Sequence, residues 1–247
     1  MCTIAFLQGP AGHFILAGNR DEARTRRRAL PPVRRAHARG LMAYPVDADA
    51  GGTWMGANTA GMAATLLNGY QADAARTPRG PTRSRGALVP QVLTHATQQE
   101  ALEALLGTQD TLGDVRPFVL ACAQADASGD LKGWHAHWDG HALQVHPFER
   151  RLVLVSSGVH LERVTQARTQ ALSALKWSPH TQAIVEAFAQ DHAGAPSFDS
   201  VCMARPDARS VSHTCVEVSP RSTTLSYLDG PPSSDPTRHV VLLERAP

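Results

Sequence analysis

Apolar and polar positions follow a pattern that predicts three strand-rich regions separated by two helical ones. Short apolar runs bounded by Gly, Pro, Asn or Asp are typical of β-strands. They predict strands over residues 2–7, 13–18, 53–56, 61–67, 118–123, 131–138, 142–147, 152–155, 200–204, 211–218 and 223–228. Apolar residues at helical spacing predict helices from residue 85 onward, over 161–175 and over 181–189. Such segregated runs favour a layered α+β fold over a doubly wound sheet.

Several segments carry more specific predictions. The Gly-Pro-Ala-Gly sequence at 9–12 predicts the turn of an N-terminal β-hairpin. Asp139-Gly140 predicts a two-residue type I′ turn. Residues 23–40 are rich in Arg and Pro and predict a loop, whereas the uniformly apolar residues 152–155 predict a buried strand.

The bulk composition limits the classes of protein and partner. A chain of 247 residues with 43% apolar residues is long enough for one domain, over residues 1–247, with a sizeable core. A net charge of +2 favours neither nucleic acid nor anionic membranes as partners. The chain shows no signal-peptide pattern and no apolar run of the ~18 residues that span a bilayer. We therefore expect a cytoplasmic protein without stable membrane insertion.

Cys2 is the first candidate for chemistry. Removal of Met1 would expose a residue that carries both a thiol and a free α-amine, and such an amine titrates near ~8. The amine can then accept the thiol proton close to neutral pH, as in enzymes whose nucleophile is the N-terminal residue. A strand that begins at Thr3 would hold this terminus in place. The alternative is that a cysteine occupies the second position without any function.

The other cysteines give no sign of a metal or redox site. They are Cys122, Cys202 and Cys215, and no two cysteines of the chain form a C-x-x-C pair. Cys122 and Cys202 lie within apolar runs, so we interpret them as thiols of the core.

Four polar residues, Asn19-Arg20-Asp21-Glu22, directly follow the second predicted strand. In a hairpin that starts at residue 2, the end of the second strand lies beside the start of the first. We therefore expect Asp21 to orient the α-ammonium group of Cys2, and Arg20 to favour the thiolate or bind a substrate carboxylate. A solvated strand end is the alternative interpretation.

Two weaker signals follow in the next strand pair. The Gly-Gly-Thr-Trp-Met-Gly sequence at 51–56 allows a close approach of backbones. Asn68 ends an apolar strand, where its amide N–H could stabilise an oxyanion. Asn at the end of a strand is, however, more often a turn residue.

Two clusters of basic residues have competing interpretations. His135 and His137 share one strand face and His141 lies across the turn, so the three imidazoles could bind a metal or haem. The alternate face carries two tryptophans, which favours a solvated histidine face. Seven arginines between residues 24 and 39 lack interleaved aromatics, which favours a rim over the active site that could steer an anionic substrate.

Together these motifs resemble the NRDE family, the family of the transport and Golgi organisation protein 2. The likeness rests on Met1-Cys2, on residues 15–22 (Ile-Leu-Ala-Gly-Asn-Arg-Asp-Glu), on residues 51–56, and on residues 67–70 (Leu-Asn-Gly-Tyr). The family's Arg-Gly-x-Leu-Val helix start resembles residues 84–89, and its C-terminal strand pair resembles residues 200–203 and 208–210.

That family is similar to the cholylglycine hydrolase and penicillin V acylase group of N-terminal-nucleophile hydrolases. The resemblance implies a four-layer αββα sandwich of two antiparallel sheets. It also implies Cys2 as the nucleophile, Asp21 as the partner of its amine and Asn68 in the oxyanion hole. Arg209 resembles the arginine that this group carries on a late strand.

The candidate site is completed by Arg20, placed in the catalytic set, and by Asn19 and Trp54, assigned to substrate binding. The chain departs from the hydrolases at two places. Gly18 stands where they carry an arginine, and the arginine is Arg20, after the Asn of the motif. Residues 156–158 are Ser-Ser-Gly, where relatives usually carry an Asn.

Two classes of function remain open. The first is an amidohydrolase that cleaves a non-peptide amide C–N bond of a small molecule, without cofactor or metal. The second is a non-enzymatic protein that binds or carries a hydrophobic anion such as haem, a role proposed for eukaryotic members of the family. A free Cys2 amine within reach of Asp21 would support the first, and an apolar pocket lined by the histidine-rich hairpin would support the second.

Overall fold

The structure is a computed structural model that describes residues 2–70, 82–179, 181–189 and 197–245. The strands are β1 (Cys2–Gln8), β2 (Phe14–Ala23), β3 (Leu30–His37), β4 (Gly40–Val46), β5 (Met55–Asn58), β6 (Met62–Asn68), β7 (Phe118–Ala125), β8 (Leu131–Trp138), β9 (Leu143–Glu149), β10 (Arg151–Ser156), β11 (Ala208–Val218), β12 (Ser222–Asp229) and β13 (Thr237–Glu244). The helices are α1 (Leu88–Val92), α2 (Gln98–Gly107), α3 (Leu161–Ala171) and α4 (Thr181–Ala189), with short 3₁₀ turns at Arg85–Ala87 and Gln109–Thr111.

These strands form two antiparallel sheets that pack face to face. The first sheet has the order β10-β1-β2-β11-β12-β13, and the second has the order β3-β4-β5-β6-β7-β8-β9. Helices α3 and α4 cover the outer face of the first sheet, and α1 and α2 cover that of the second. The four-layer αββα sandwich implied by the resemblance is confirmed. Among the described helices, none has the length and apolar character needed to cross a membrane.

Strand alternation explains why β1 lies in the middle of these layers. Ile4 and Phe6 point between the two sheets, whereas Ala5 and Leu7 point toward α3 and α4. The ring of Phe6 is fully buried and lies 5.2 Å from the ring of Phe148 in the second sheet. Because both faces of β1 are buried, a one-residue slip in its register would move Phe6 into the space that Ala5 and Leu7 fill against the helices. The start of β1 is therefore held in a fixed position.

The predicted N-terminal hairpin is confirmed, and its register places Cys2 opposite Arg20 on β2. Cys2 also pairs with Ser156 at the end of β10, so the first residue of β1 has a strand on each side. Strand β2 continues to Ala23, five residues beyond the predicted end at Gly18. The polar residues after Gly18 are thus part of the sheet and not a solvated strand end.

The predicted loop over residues 23–40 is wrong, because β3 and the first residue of β4 lie within it. Strand β3 is an edge of the second sheet and is largely exposed, so its sequence needs no apolar alternation. Pro31 and Pro32 are tolerated there because an edge strand leaves part of its backbone unpaired.

The predicted strand over residues 200–204 is wrong as well. Only one isolated bridge forms there, between Ala204 and Arg209. Val201 and Met203 are buried, and side chains take up part of their backbone hydrogen bonding. Asn19 Nδ2 donates to Val201 O at 3.0 Å, and Met203 N donates to Ser210 Oγ at 2.9 Å, while Met203 O accepts Ser210 N at 2.8 Å. A buried loop and a buried strand give the same apolar run, so the pattern could not separate them.

Three smaller differences concern the remaining strands. The Asp139-Gly140 turn is a four-residue loop, in which Asp139 Oδ1 accepts the N–H groups of His141 and Ala142, both at 2.8 Å. Residues 152–155 are half-buried because β10 is an edge strand. Strand β13 was not predicted, and several of its side chains are exposed.

Replacement of Phe6 by Ala tests the inter-sheet core. We expect Phe6→Ala to lower the free energy of unfolding by about 3–5 kcal/mol, because it leaves a cavity between the sheets. Val240→Ala is the control, since this side chain is 58% exposed, and it should change that free energy by at most about 0.5 kcal/mol. Denaturant unfolding measures both, and equal effects would contradict the assignment of Phe6 to the core.

Candidate active site

A cavity of about 160 Å³ opens where the start of β1 meets the end of β6. Its lining includes five of the predicted site residues, Cys2, Arg20, Asp21, Trp54 and Asn68. Cys2 and Arg20 belong to the first sheet, whereas Asn68 belongs to the second. The cavity therefore lies at the end of the interface between the two sheets.

Cys2 is half-buried, whereas the three other cysteines are buried. Burial raises the pKa of the Cys2 thiol, and the negative charge of Asp21 acts in the same direction. The positive charge of Arg20 and a hydrogen bond from the backbone of Asp21 oppose this rise without cancelling it. A thiol with a raised pKa is mostly protonated at neutral pH, so it needs a base before it can act as a nucleophile.

Asp21 is held by a buried ion pair with Arg168 of α3. Arg168 Nη1 donates to Asp21 Oδ2 at 2.8 Å, and Ser210 Oγ donates to Asp21 Oδ1 at 2.6 Å. Both charged side chains are fully buried. Arg168 Nη1 also donates to Thr3 Oγ1 at 2.7 Å, next to Cys2 along β1. The helix thus fixes the carboxylate and the start of β1 together.

The strand register places Asp21 on the amino side of Cys2. Because Cys2 is paired with Arg20, Asp21 lies one residue, or ~3.3 Å of strand rise, beyond that pair. The backbone nitrogen of Cys2 lies on the same side. Hydrogen-bond reach between this nitrogen and the carboxylate remains a prediction.

Arg168 was not predicted from the sequence, although the sequence contained a signal for it. Val164, Arg168 and Leu172 are spaced by four residues and are all fully buried. An arginine in the middle of an apolar helical stripe must have a buried partner, because an unpaired charge is too costly to bury. That spacing indicates that Arg168 forms a buried ion pair, but it does not identify the acidic residue in the pair.

Arg20 is largely neutralised by neighbouring carboxylates. Its Nη2 donates to Asp47 Oδ2 at 2.7 Å and to Glu22 Oε2 at 3.2 Å. Its guanidinium carbon lies 4.5 Å from the centre of a ring of Trp54, in a cation–π contact. Although burial acts to raise it, the pKa of Asp47 is lowered by a hydrogen bond from Ala50 N and by nearby arginines. Trp54 therefore supports Arg20, and its contact with substrate stays a prediction.

Asn68 is held from both sides. Its side-chain Nδ2 donates to Tyr70 Oη at 2.8 Å. Its backbone carbonyl oxygen accepts a hydrogen bond from the hydroxyl of Ser156 at 2.7 Å. Ser156 is the first residue of the Ser-Ser-Gly sequence at 156–158. Its hydroxyl binds the backbone of Asn68, so it joins the two sheets beside Cys2.

Asn19 does not lie among the residues that line this cavity. It is 1% exposed, and its Nδ2 donates to Phe188 O of α4 at 2.9 Å and to Val201 O at 3.0 Å. Its Oδ1 lies 2.8 Å from His213 Nδ1. These contacts tie α4 and the 200–204 loop to β2, so the expected contact between Asn19 and substrate is not supported by its placement.

Arg209 is also outside the Cys2 cavity. It is exposed on β11, opposite Glu22 of β2, and it lines a separate cavity of about 420 Å³. Five further arginines line that cavity, namely Arg20, Arg24, Arg26, Arg27 and Arg28. The two cavities adjoin, because Arg20, Glu22 and Arg26 line both. Of the arginine-rich segment, Arg26 therefore reaches the Cys2 cavity, whereas Arg24, Arg27 and Arg28 line only the adjoining one.

The histidine cluster is formed by His135, His137 and His146. His135 Nδ1 lies 2.9 Å from His137 Nε2, and the ring of His146 stacks on His135 at 5.2 Å. His135 and His137 are half-buried, and burial lowers the pKa of His135 to about 4. The two tryptophans on the other face are buried, as predicted. The described part of the chain contains no group of three or more His, Cys, Asp or Glu residues that could hold a metal ion.

All residues that line the Cys2 cavity lie in the part of the chain that matches one protein-family model. The model of the family described as Transport and Golgi organisation 2 matches residues 1–220. The chain belongs to this family. Comparison with curated protein sequences gives no significant match for this family member.

Two solved structures share the fold of this family member. One is a Caenorhabditis elegans orthologue of N-acylethanolamine-hydrolyzing acid amidase, with a TM-score of 0.58, 15% identity and coverage of 87% of this chain and 92% of the other. The other is a mutant of the conjugated bile acid hydrolase from Clostridium perfringens, with a TM-score of 0.57, 11% identity and coverage of 98% and 92%. The chain thus has a hydrolase-like fold of the N-terminal-nucleophile type.

We expect Arg168→Met to lower the free energy of unfolding by about 3–5 kcal/mol, because it leaves the Asp21 carboxylate buried without its counter-charge. The double variant Arg168→Met/Asp21→Asn should recover part of this loss, since no uncompensated charge remains. Denaturant unfolding measures both variants.

Arg163→Met is the matched control for this prediction. Arg163 lies on the same helix, is 68% exposed and pairs with Asp199, so its replacement should cost less than about 1 kcal/mol. Equal losses for the two single variants would contradict a special role for the buried pair.

We expect iodoacetamide at limiting concentration near pH 7 to label Cys2 before the other cysteines. Cys2 is the only one of the four that is not buried, and burial raises the pKa of Cys215 to about 12 and that of Cys122 further. Peptide mass spectrometry after short labelling measures the order. Faster labelling of Cys122, Cys202 or Cys215 in the folded protein would overturn the assignment.

Proposed function

We propose that this protein is an amidohydrolase that cleaves a non-peptide amide C–N bond of a small molecule, with Cys2 as its N-terminal nucleophile. The observation that carries the proposal is the meeting of Cys2, Asp21 and Asn68 around one cavity, although they come from different strands. The proposal requires removal of Met1, so that Cys2 carries the free α-amine.

The first chemical step is acylation of Cys2. The α-amine takes the thiol proton, and the sulfur attacks the carbonyl carbon while the π electrons of the C=O bond move to oxygen. Asp21 keeps the resulting α-ammonium beside the sulfur, and Asn68 donates to the oxyanion. Collapse of the oxyanion breaks the C–N bond, and the α-ammonium protonates the departing nitrogen.

The second step is hydrolysis of the thioester. The α-amine, now neutral again, takes a proton from water, and the hydroxide oxygen attacks the same carbonyl carbon. The C–S bond breaks, the acid is released, and the proton returns to the Cys2 sulfur. The raised pKa of the thiol makes such a base necessary in the first step.

The anchoring of Asp21 supports this role. A carboxylate has about four acceptor sites, so its bonds to Arg168 and Ser210 are compatible with a further bond to an ammonium group. Arg168 keeps the carboxylate in place through a buried ion pair, which limits its movement during turnover. Catalysis by a positioned base depends on such fixed geometry.

The similar structures support the reaction class and not the substrate. One is named for the hydrolysis of N-acylethanolamines by an amidase, and the other for the hydrolysis of conjugated bile acids. We therefore propose a small-molecule amide as the partner. A carrier of haem or a similar anion, the alternative, finds less support in the cavities. The Cys2 cavity holds about 160 Å³ and is lined largely by charged and polar groups, and the cavity that His137 of the hairpin lines holds about 140 Å³. Both are smaller than ordinary ligand pockets.

The test uses 4-nitrophenyl acetate, a neutral activated ester, as the acyl donor. We expect the wild-type protein to lack Met1 by intact mass and to gain an acetyl group on Cys2. Cys2→Ser should abolish rapid acetylation at this residue. Asp21→Asn should slow acetylation of Cys2 by ~10²–10⁴, the size of a positioned base effect.

Two controls keep this test interpretable. Asp21→Asn also weakens the pair with Arg168, so its rates are compared at a temperature where circular dichroism shows the variant to be folded. Asp114→Asn removes an exposed carboxylate that pairs with Arg83, and it should leave the acetylation rate unchanged. Retention of Met1, or equal rates in Asp21→Asn and Asp114→Asn, would refute the hydrolase proposal and favour the binding protein.

A further inference from the structure

The described cavity has an incomplete set of oxyanion donors if only the predicted residues are considered. Asn68 Nδ2 already donates one hydrogen to Tyr70, which leaves one for a substrate oxygen. The hydroxyl of Ser156, at the end of β10, donates to Asn68 O. These two side chains together therefore offer at most one hydrogen bond to an oxyanion at Cys2.

Arg85 lines the same cavity as Cys2 and Asn68. It begins the 3₁₀ turn that precedes α1, and the Ser84 hydroxyl caps this turn by accepting Gly86 N at 3.3 Å. Arg85 is half-buried, and its Nη1 donates to Pro117 O at 2.8 Å. This bond uses one of the five N–H donors of the guanidinium and fixes its direction.

The charge of Arg85 is not neutralised by a carboxylate within the described residues. Arg20, on the other wall, is paired with Asp47 and Glu22, whereas no ion pair to Arg85 is found in the same parts of the chain. Burial lowers the pKa of Arg85, while Tyr70, Cys2 and Glu22 act in the opposite direction. An arginine remains protonated despite such a shift.

Two glycines hold this turn against the cavity wall. A Cβ atom on Gly52 would lie 2.6 Å from the carbonyl carbon of Gly86, and Thr53 N donates to Gly86 O at 3.0 Å. The backbones at 52 and 86 are therefore in direct contact, which only glycine at 52 permits. This contact fixes the distance between the turn that carries Arg85 and the residues before β5.

We propose that Arg85 is a catalytic residue that donates a hydrogen bond to the oxyanion formed when Cys2 attacks a carbonyl, in partnership with Asn68. The inference rests on the proposed function, because it concerns the same intermediate. As the C–S bond forms, the C=O π electrons move to oxygen, and the guanidinium stabilises that negative charge. When the oxyanion collapses, the leaving group departs with a proton from the Cys2 α-ammonium, and Arg85 keeps its own protons throughout.

The test compares two reactions of the same thiol. Acetylation of Cys2 by 4-nitrophenyl acetate passes through an oxyanion, whereas alkylation by iodoacetamide is a displacement at carbon that forms none. We expect Arg85→Gln to slow acetylation by ~10²-fold, the usual loss for one oxyanion donor, and to change alkylation by less than about threefold. Arg85→Lys keeps the positive charge but lacks the planar guanidinium with its paired N–H donors. This variant should recover part of the acetylation rate.

Arg83→Gln is the matched control. Arg83 lies two residues away, is exposed and bonds to Thr111 O and Asp114, away from the Cys2 cavity, so both rates should stay at wild-type values. Alkylation also reports folding, since a misfolded Arg85→Gln would expose the other cysteines to labelling.

The outcomes separate this inference from the proposed function. If wild-type Cys2 is not acetylated, the hydrolase proposal fails and this inference fails with it. If the wild type reacts and Arg85→Gln is acetylated as fast, only the role of Arg85 is refuted. Equal losses in acetylation and alkylation would show that Arg85 acts on the thiolate and not on the oxyanion, which also overturns the inference.

Discussion

The buried ion pair between Asp21 and Arg168 is the interaction on which the candidate site depends. Removing two charges from water is costly, and hydrogen bonds to the remaining polar atoms offset part of that cost. Here Ser210 donates to Asp21, and Arg168 also donates to Thr3 and to Phe198 O, whereas Arg168 Nε finds no partner among the described residues. One helix thus fixes both β1 and β2 at the point where they form the cavity, although the helix itself lies in the outer layer.

The two sheets contribute different parts of the chemistry. The first sheet carries Cys2, the proposed nucleophile, and Asp21, whereas the second carries Asn68 at the end of β6. Their relative position is set by the core between the sheets and by the Ser156–Asn68 hydrogen bond at its end. A change in inter-sheet packing would therefore alter the position of Cys2 relative to Asn68, without replacing a residue of the cavity.

The periodicity of apolar residues predicted strands correctly where the packing of a strand follows from its own sequence. It could not predict contacts that residues distant in the sequence determine. The register of β1 and β2 followed from a short turn between two apolar runs, and it correctly placed Arg20 and Asp21 near Cys2. The sequence could not predict that Asn19 faces α4, since the bulge in β11 and the 200–204 loop decide its contacts. Nor could it predict which buried carboxylate Arg168 would meet, 147 residues away along the chain.

Strand β3 has a consequence for the behaviour of the protein in concentrated solution. An unpaired sheet edge can recruit a strand from another molecule, which is a common route to aggregation. Pro31 and Pro32 lack the backbone N–H that such a strand would need to bond, and Arg34 and Arg35 add repulsion between identical edges. The arginine- and proline-rich composition of this segment thus disfavours pairing of identical molecules through the β3 edge of the second sheet.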